Sequence, residues 1–222
     1  CIAVVPGAIG AWRKSAVAEC GYYSSQTLAE DTDMTIELVR QGYTVELEAR
    51  AKAYTEAPET VKNLVKQRNR WAYGILQCLW KHRDALFRPE YKYLGLVAMP
   101  TMWIFQYLFL IISPFADLYF INGILTRPSQ KLFLFYIFFL TFDLIAVTYA
   151  FVLEKEFKVN ILWLIVQRTL YRFIMVYVAV KSIISALGGR VVGWNKLKRT
   201  GSVVSEKGYK EFEKNKKLKG GE

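Results

Sequence analysis

The spacing of apolar residues predicts alternating helices and strands in the first part of the chain. Residues 2–5 form a short apolar run that is typical of a strand. Residues 15–20 predict a short helix after a glycine-containing turn. From Thr32 the apolar residues recur at helical spacing up to Gly42, which predicts a helix with a glycine C-cap. Residues 43–49 then alternate between apolar and polar, so the pattern indicates a half-buried strand and an α/β fold.

A longer helix is predicted between residues 58 and 82, and its two faces differ in composition. Most of its apolar residues fall on one face when successive residues are rotated by 100°. A different face carries Gln67, Arg70, Trp71 and Gly74 at spacings of i, i+3, i+4 and i+7. A tryptophan that packs in the core belongs on the apolar face. Trp71 lies instead with a glutamine and an arginine, which is typical of a surface that meets a polar ligand.

Three apolar runs follow, and they predict membrane-spanning helices. Residues 94–125 and 132–153 contain one charged residue each. Both are long enough to cross a hydrocarbon core, which needs roughly 20 residues. The third run, residues 161–187, is apolar but includes Arg168 and Arg172 one turn apart. Charges at that depth normally face protein or a polar pathway, and the alternative is an amphipathic helix at the membrane surface.

Composition divides the chain into three parts. The protein has 222 residues, is 53% hydrophobic and carries a net charge of +11, with most of the charge at its two ends. We therefore expect a cytoplasmic domain over residues 1–92, a membrane region of two to three helices over 93–187 and a basic cytoplasmic tail over 188–222. Basic charge beside long apolar runs favours an anionic membrane surface over nucleic acid, and we find no interleaved basic and aromatic module.

The topology of the membrane region stays open at this point. Basic residues at both ends favour the cytoplasm for both, whereas three full crossings would place the ends on opposite sides. Either one apolar run does not cross, or the first run breaks at residues 113–114, Ser-Pro, and returns to the same side.

Cysteine and histidine usage gives little evidence of chemistry. The three cysteines show no C-x-x-C or zinc spacing, so reduced thiols in a cytosolic compartment are expected. The single histidine, His82, is interpreted as an ordinary surface residue at a polar helix end. The chain begins at Cys1 in an apolar run without an initiator methionine. We therefore expect it to be the C-terminal part of a longer protein.

Three acids lie at the start of the helix predicted from Thr32, and they have three interpretations. Asp31 and Asp33 form a D-x-D, which in sugar-nucleotide enzymes often holds a metal ion. One of the acids could instead be a general base. The third interpretation is that Glu30, Asp31 and Asp33 only complement the dipole at a helix N-terminus.

Several motifs occur in the order found in a known enzyme family. The stretch GAIGAWRKSAV (7–17) is followed by Glu30-Asp31, then by QRNRW (67–71) and by the apolar runs. This order resembles the processive family-two glycosyltransferases, the membrane synthases of cellulose, hyaluronan, chitin and poly-N-acetylglucosamine. QRNRW matches the fixed positions of their Q-(Q/R)-x-R-W signature. The stretch ALGGRVVGWNKLKRTG (186–201) looks most like the poly-N-acetylglucosamine branch.

The resemblance implies a fold and a base. The fold would be the C-terminal part of a GT-A-like nucleotide-sugar transferase domain, followed by an α-helical transmembrane region. Asp31 matches the aspartate of the family's T-E-D motif, the base that deprotonates the acceptor hydroxyl, although Ala29 replaces its threonine. Glu30, beside the base, is assigned to substrate binding. A metal-holding D-x-D would end a buried strand, whereas this one follows the polar residues 22–27, so the metal interpretation is disfavoured.

The other site residues are carried over from the same resemblance. Arg70 would neutralise the leaving diphosphate and Gln67 would hydrogen-bond the donor. Trp71 would stack on the acceptor sugar. Arg68 belongs to the same motif and is grouped with substrate binding, without a defined role because it lies near the apolar face.

The glycine-rich segment and the cofactor also follow from the resemblance. Gly7 and Ala8 match a segment that borders the acceptor, although Pro6 stands where some members carry cysteine or serine. The resemblance implies Mg²⁺ or Mn²⁺, whose ligands lie in similar enzymes before the segment seen here. No metal ligand is therefore predicted in this chain.

The implied partners are a UDP-sugar donor, most favourably UDP-N-acetylglucosamine, a nascent polysaccharide and the lipid bilayer. The resemblance also allows for a small accessory membrane subunit, and nucleic acid is not expected. The expected location is the plasma membrane, with several spans and a cytoplasmic catalytic part. Two alternatives remain: a non-processive transferase acting on a lipid carrier, and a non-catalytic membrane subunit or transporter.

Overall fold

A computed structural model of the protein describes residues 2–48, 51, 53, 55–127, 129–154, 166–189 and 193. Within these ranges the regular structure is helical. Nearly all of the predicted basic tail, residues 188–222, lies outside the described residues.

Three helices form the first part of the fold. They are α1 (Lys14–Glu19), α2 (Glu30–Arg40) and α3 (Val61–Lys81). Acids in the first turn and an arginine in the last turn of α2 complement its dipole. The chain leaves α2 through Gly42 at a φ of 90°, as a glycine C-cap predicts.

The longest of these helices, α3, begins and ends close to its predicted limits. The hydroxyl of Thr60 accepts a hydrogen bond of 3.2 Å from the backbone N–H of Asn63, which caps the first turn. On the predicted apolar face, Leu76 and Leu79 are buried, but Val61 at the start is 62% exposed. The periodicity therefore predicted the helix correctly and overestimated burial at its first turn.

The two predicted strands are not strands in the part of the chain that is described. Residues 2–5 and 43–48 have no regular secondary structure, and both segments line one groove of about 640 Å³. A strand requires a hydrogen-bonded neighbour, and these segments face the groove instead of pairing with each other. The N–H of Val5 donates to the hydroxyl oxygen of Thr35, a residue of α2, at 3.1 Å.

Three further helices follow a turn-rich connection that holds two short 3₁₀ turns, Arg83–Ala85 and Pro89–Tyr91. They are α4 (Leu94–Thr126), α5 (Gln130–Glu154) and α6 (Arg172–Leu187). The helix α4 continues through Pro114, so the break considered at that position does not occur. Two helices are long and apolar enough to cross a membrane: Leu94–Thr126, with 33 residues, and Gln130–Leu153, with 24.

Large apolar side chains on these two helices face outward. Phe115 and Tyr119 on α4 and Phe135 on α5 are all more than 60% exposed. A soluble protein buries the apolar side chains of its core helices. Here only 6% of the residues in the most apolar stretch of Leu94–Thr126 are buried, and 0% in that of Gln130–Leu153. This arrangement fits helices whose surroundings are lipid.

The main core joins α2 and α3 to the first turns of α4 and to α6. Ile36 of α2, Leu79 of α3, Met99 of α4 and Ala179 of α6 belong to one buried cluster. In addition, α3 packs along α6. The helix that carries QRNRW therefore lies between the acidic helix α2 and the apolar helices.

Candidate active site

Asp31 lies in the first turn of α2, with its carboxylate held by backbone groups. Its Oδ2 accepts a hydrogen bond of 2.9 Å from the N–H of Gly7, and its Oδ1 accepts one of 2.7 Å from the N–H of Thr32. A Cβ on residue 7 would lie 3.2 Å from Oδ2, so glycine permits this close approach. A carboxylate fixed by N–H donors, with lone pairs still available, suits a general base.

A small pocket opens beside this carboxylate. Its volume is about 330 Å³, near the lower end of the range for small-molecule pockets. Its lining comprises Val5, Pro6, Gly7, Gly10, Trp12, Tyr23, Glu30 and Asp31. The structure therefore brings together three predicted site residues, namely Gly7, Glu30 and Asp31.

Two aromatic residues of this pocket were not predicted as site residues. Trp12 and Tyr23 provide apolar faces next to the two acids, and aromatic faces stack well on the C–H faces of sugars. The signal available in the sequence was an aromatic residue directly after a glycine-rich turn. Ala8, which was predicted from the resemblance, does not belong to the pocket lining.

One face of α3 holds the acidic segment in place. The side-chain oxygen of Gln77 accepts a hydrogen bond of 2.9 Å from the N–H of Leu28. The thiol of Cys78 contacts the carbonyl oxygen of Ala29 at 3.4 Å. Gly74 lies directly beneath this backbone, because a Cβ there would be 2.7 Å from the nitrogen of Ala29. Gly74 was predicted on the ligand-facing surface, and that is wrong.

Burial keeps the thiol of Cys78 protonated. Loss of solvent raises the pKa of Cys78 to about 12. A neutral thiol is a poor nucleophile and a weak hydrogen-bond donor. Cys78 is therefore part of the packing between α3 and the acidic segment.

The QRNRW residues of α3 do not line the pocket of Asp31. Trp71 is 41% exposed, and the guanidinium carbon of Arg68 lies 4.7 Å from the centre of a Trp71 ring. Gln67 and Arg70 are both partly exposed. This surface is therefore distinct from the pocket, and Arg68 belongs to it through its stacking on Trp71.

Asp33 differs from Asp31 in its surroundings. Its side chain is 3% exposed, and its oxygens accept hydrogen bonds of 2.8 and 3.0 Å from the ammonium of Lys81. The Nε2 of His82 lies 2.7 Å from Oδ1. Burial raises the pKa of Asp33, but hydrogen bonds from His82 and Lys81 outweigh it and hold the pKa below its usual value.

His82 is buried, so its interpretation as a surface residue is wrong. Its side chain is 2% exposed and lies at the C-terminal end of α3. The sequence neighbours Lys81 and Arg83 gave the segment a polar composition. The ring is nevertheless covered because it faces α2, where Asp33 is its partner.

The two acids of the D-x-D do not form a joint metal site. Asp31 binds the N–H of Gly7, whereas both oxygens of Asp33 are occupied by Lys81 and His82. A cationic ammonium next to Asp33 opposes a divalent cation. Within the described part of the chain, no group of three His, Cys, Asp or Glu residues is placed to hold a metal ion. These residues do not fit Mg²⁺ or Mn²⁺.

The sequence model of glycosyl transferase family group 2 matches residues 1–180. The chain belongs to this family. Family membership fits the GT-A-like fold expected from the motifs, while the α/β prediction stays a prediction because no described residue lies in a strand.

Curated relatives give a more specific likeness over part of the chain. A probable glycosyltransferase, YdaM, of Bacillus subtilis (strain 168) is 34% identical over 91 residues, which are 41% of this chain and 22% of the relative. The poly-beta-1,6-N-acetyl-D-glucosamine synthase of Staphylococcus aureus (strain COL) is 36% identical over 70 residues, 32% of this chain and 17% of the relative. The chain thus spans about a fifth of the length of these relatives. No solved structure matches it.

Proposed function

We propose that this chain is the acceptor-side and membrane part of an inverting glycosyltransferase that extends a polysaccharide from a UDP-sugar. Family membership supports sugar transfer. The likeness to poly-beta-1,6-N-acetyl-D-glucosamine synthases favours N-acetylglucosamine as the transferred sugar and a processive reaction. The two long apolar helices support a location in a membrane. The proposal places the protein in the plasma membrane with several spans and with the catalytic part in the cytoplasm.

The observation that carries the proposal is the position of Asp31 at the rim of a pocket with aromatic walls. In the proposed step, the acceptor hydroxyl oxygen attacks the anomeric carbon of the donor. The bond between that carbon and the diphosphate oxygen breaks, and UDP leaves with the bonding electrons. The hydroxyl proton passes to the carboxylate of Asp31. Attack opposite the leaving group inverts the anomeric configuration.

The remaining residues would bind the two substrates. Glu30 and Gly7, which line the pocket, would border the acceptor end, with Ala8 next to Gly7 in the chain. On α3, Arg70 would neutralise charge on the leaving diphosphate and Gln67 would hydrogen-bond the donor. Trp71, stacked on Arg68, would carry an acceptor sugar. Donor-bound Mg²⁺ or Mn²⁺ and an accessory subunit belong to the proposal without residues assigned to them in this chain.

The substitution Asp31→Asn tests this role. The amide keeps the shape of the carboxylate and one oxygen for the N–H of Gly7. Its NH₂ group cannot accept a hydrogen bond from the N–H of Thr32, and the side chain no longer takes a proton. We expect transfer to fall by about 10²- to 10⁴-fold, the usual contribution of a general base. The measurement is incorporation of labelled N-acetylglucosamine from the UDP-sugar by membranes that contain the whole protein. The size of the product separates a polymer from a single glycolipid.

Glu90→Gln is the matched control because Glu90 is an exposed acid outside the pocket. Both variants should reach the membrane in equal amounts, as measured by immunoblot. Near-normal transfer by the Asp31→Asn variant would exclude Asp31 as the base. It would favour the alternative of a non-catalytic membrane subunit or transporter.

A further inference from the structure

A chain of polar contacts, buried at Asp33 and His82, starts two residues after the proposed base and takes no part in the reaction described above. Asp33, two residues after Asp31, contacts Nε2 of His82 at 2.7 Å. On the other side of the ring, Nδ1 lies 3.0 Å from Nη1 of Arg40. Asp33 and Arg40 belong to the first and last turns of α2, and His82 follows α3 directly. The contacts therefore fasten α2 at both ends to the end of α3.

The partners of His82 determine its tautomer. Arginine carries only donors, so Nδ1 of His82 must accept the hydrogen bond from Arg40. The ring proton is then on Nε2, from which it is donated to the carboxylate of Asp33. Glu37 also faces Nδ1, but at 3.8 Å its oxygen lies beyond hydrogen-bond distance. His82 is thus a neutral ring with one donor and one acceptor, both used.

The same chain of contacts reaches the segment that leads into α4. Arg40 donates to both oxygens of Asp84 at 3.0 and 2.6 Å and to the hydroxyl of Tyr91 at 3.2 Å. Asp84 and Tyr91 belong to the 3₁₀ turns that precede α4. The helix that carries the proposed base is therefore tied to the connection with the membrane region.

The first turn of α2 is the part that these contacts hold most directly. The N–H of Asp33 donates to the carbonyl oxygen of Ala29 at 2.9 Å, and the carboxylate of Asp33 is fixed by His82 and Lys81. Asp31 lies between Ala29 and Asp33 in the same turn. Its carboxylate can therefore meet the N–H of Gly7 only while this turn keeps its place.

We propose that His82 and Asp33 are positioning residues for Asp31: the neutral His82 ring fixes the first turn of α2, and with it the carboxylate that accepts the proton. The proposal rests on the proposed function of Asp31. It assigns to His82 a role in the orientation of the base, and none in contact with either substrate.

The test compares kcat and the donor KM of variants in the whole membrane protein. In His82→Gln, the side-chain amide can still donate to Asp33, so we expect kcat to fall by no more than about tenfold, the value of one hydrogen bond. His82→Leu removes both contacts, and a displacement of about 1 Å would lower kcat by about 100-fold. The KM for the UDP-sugar should stay unchanged in both variants, because the partners of His82 are Asp33 and Arg40, and neither is assigned to the donor.

All activities are expressed per folded molecule, taken from the monodisperse peak of detergent-solubilised protein. Arg83→Leu is the matched control, because Arg83 is the adjacent exposed residue and stacks on Trp80 outside the chain of contacts. It should leave kcat unchanged. Wild-type kcat in the His82→Leu variant, or equal losses in His82→Leu and His82→Gln, would overturn the positioning role. Absence of a folded peak for His82→Leu alone would show a purely structural role and overturn it as well.

The Asp31→Asn variant, assayed in parallel, separates this inference from the proposed function. Active Asp31→Asn protein would refute Asp31 as the base, whatever the His82 variants do. Inactive Asp31→Asn protein together with unaffected His82 variants would leave the base in place and refute only its positioning.

Discussion

At the scale of single residues, Gly74 shows how one missing side chain sets the position of the acidic segment. Glycine inside a helix costs about 1 kcal/mol relative to alanine. At this position a Cβ would lie 2.7 Å from the nitrogen of Ala29 and 2.9 Å from the carbonyl carbon of Leu28. Backbone atoms cannot rotate out of the way as a side chain can. The glycine therefore allows α3 and the segment before Asp31 to come into contact.

The substitution Gly74→Ala should harm the enzyme although alanine favours helices. We expect the free energy of unfolding to fall by about 1 to 3 kcal/mol, the usual effect of overpacking. We also expect lower transfer, because the segment that precedes Asp31 is displaced. Thermal unfolding of the detergent-solubilised protein and the transfer assay measure the two effects.

The control for this substitution is Gly123→Ala. There the added Cβ would meet only the end of the flexible Leu132 side chain, at 2.6 Å, which can move aside. Equal melting temperatures for the two variants would contradict the importance of the backbone contact at residue 74.

At the scale of elements, helices could be predicted from the sequence more completely than their contacts. The periodicity of apolar residues and the glycine at position 42 predicted α2 and α3 within a few residues. The burial of His82 could not be predicted, because its partner Asp33 is 49 positions away in the chain and the local pattern is polar. The half-buried strand at residues 43–49 was an inference from alternation alone, which does not supply a neighbouring strand.

The site was predictable to the extent that its residues belong to motifs. Asp31, Glu30 and Gly7 were expected and lie around one pocket. Trp12 and Tyr23 line the same pocket, but neither was among the residues assigned to the site from the motifs. The neighbours of a motif helix decide which of its residues face a ligand and which face another helix. Gly74 was therefore assigned to the wrong face.

The contact between α3 and α6 links the motif helix to the membrane region. Asn69, the variable position of QRNRW, is buried, and its side-chain oxygen lies 3.3 Å from the hydroxyl of Ser182 on α6. Ser182 has no exposed surface and also donates to the carbonyl oxygen of Val178 at 2.8 Å. Position 182 therefore accepts only a small side chain.

Ser182→Leu should separate α3 from α6 and lower polymer output. Overpacking at a buried position costs about 1 to 3 kcal/mol. Polymer output should fall because α3, which carries Arg70 and Trp71, would be displaced. Ser182→Ala is the matched control, since it removes one hydrogen bond and costs about 1 kcal/mol without added volume. Polymer yield and melting temperature measure both variants. Wild-type yield from Ser182→Leu would show that the motif helix does not depend on this contact.

At the scale of the whole molecule, an ion pair joins two helices of the proposed membrane region. The guanidinium of Arg172, at the start of α6, donates to Oδ2 of Asp117 on α4 at 2.5 Å. Their side chains are 19% and 17% exposed. Arg172 was interpreted as a charge that faces protein or a polar pathway, and the pair shows that it faces protein. The side chain of Arg168 lies outside the described residues.

Exchange of the two charges tests whether this pair fixes α6 against α4. Asp117→Arg places two cations together and Arg172→Asp places two anions together. Each should therefore destabilise the folded protein, but by less than about 3 to 5 kcal/mol, the cost of breaking a fully buried pair, because both side chains are partly exposed. The double variant Asp117→Arg/Arg172→Asp restores opposite charges and should recover most of the stability. The measurement is the melting temperature in detergent. If the double variant is no more stable than the single variants, the attraction between the two charges does not hold the helices together, and α6 is positioned by its packing on α3 and α4.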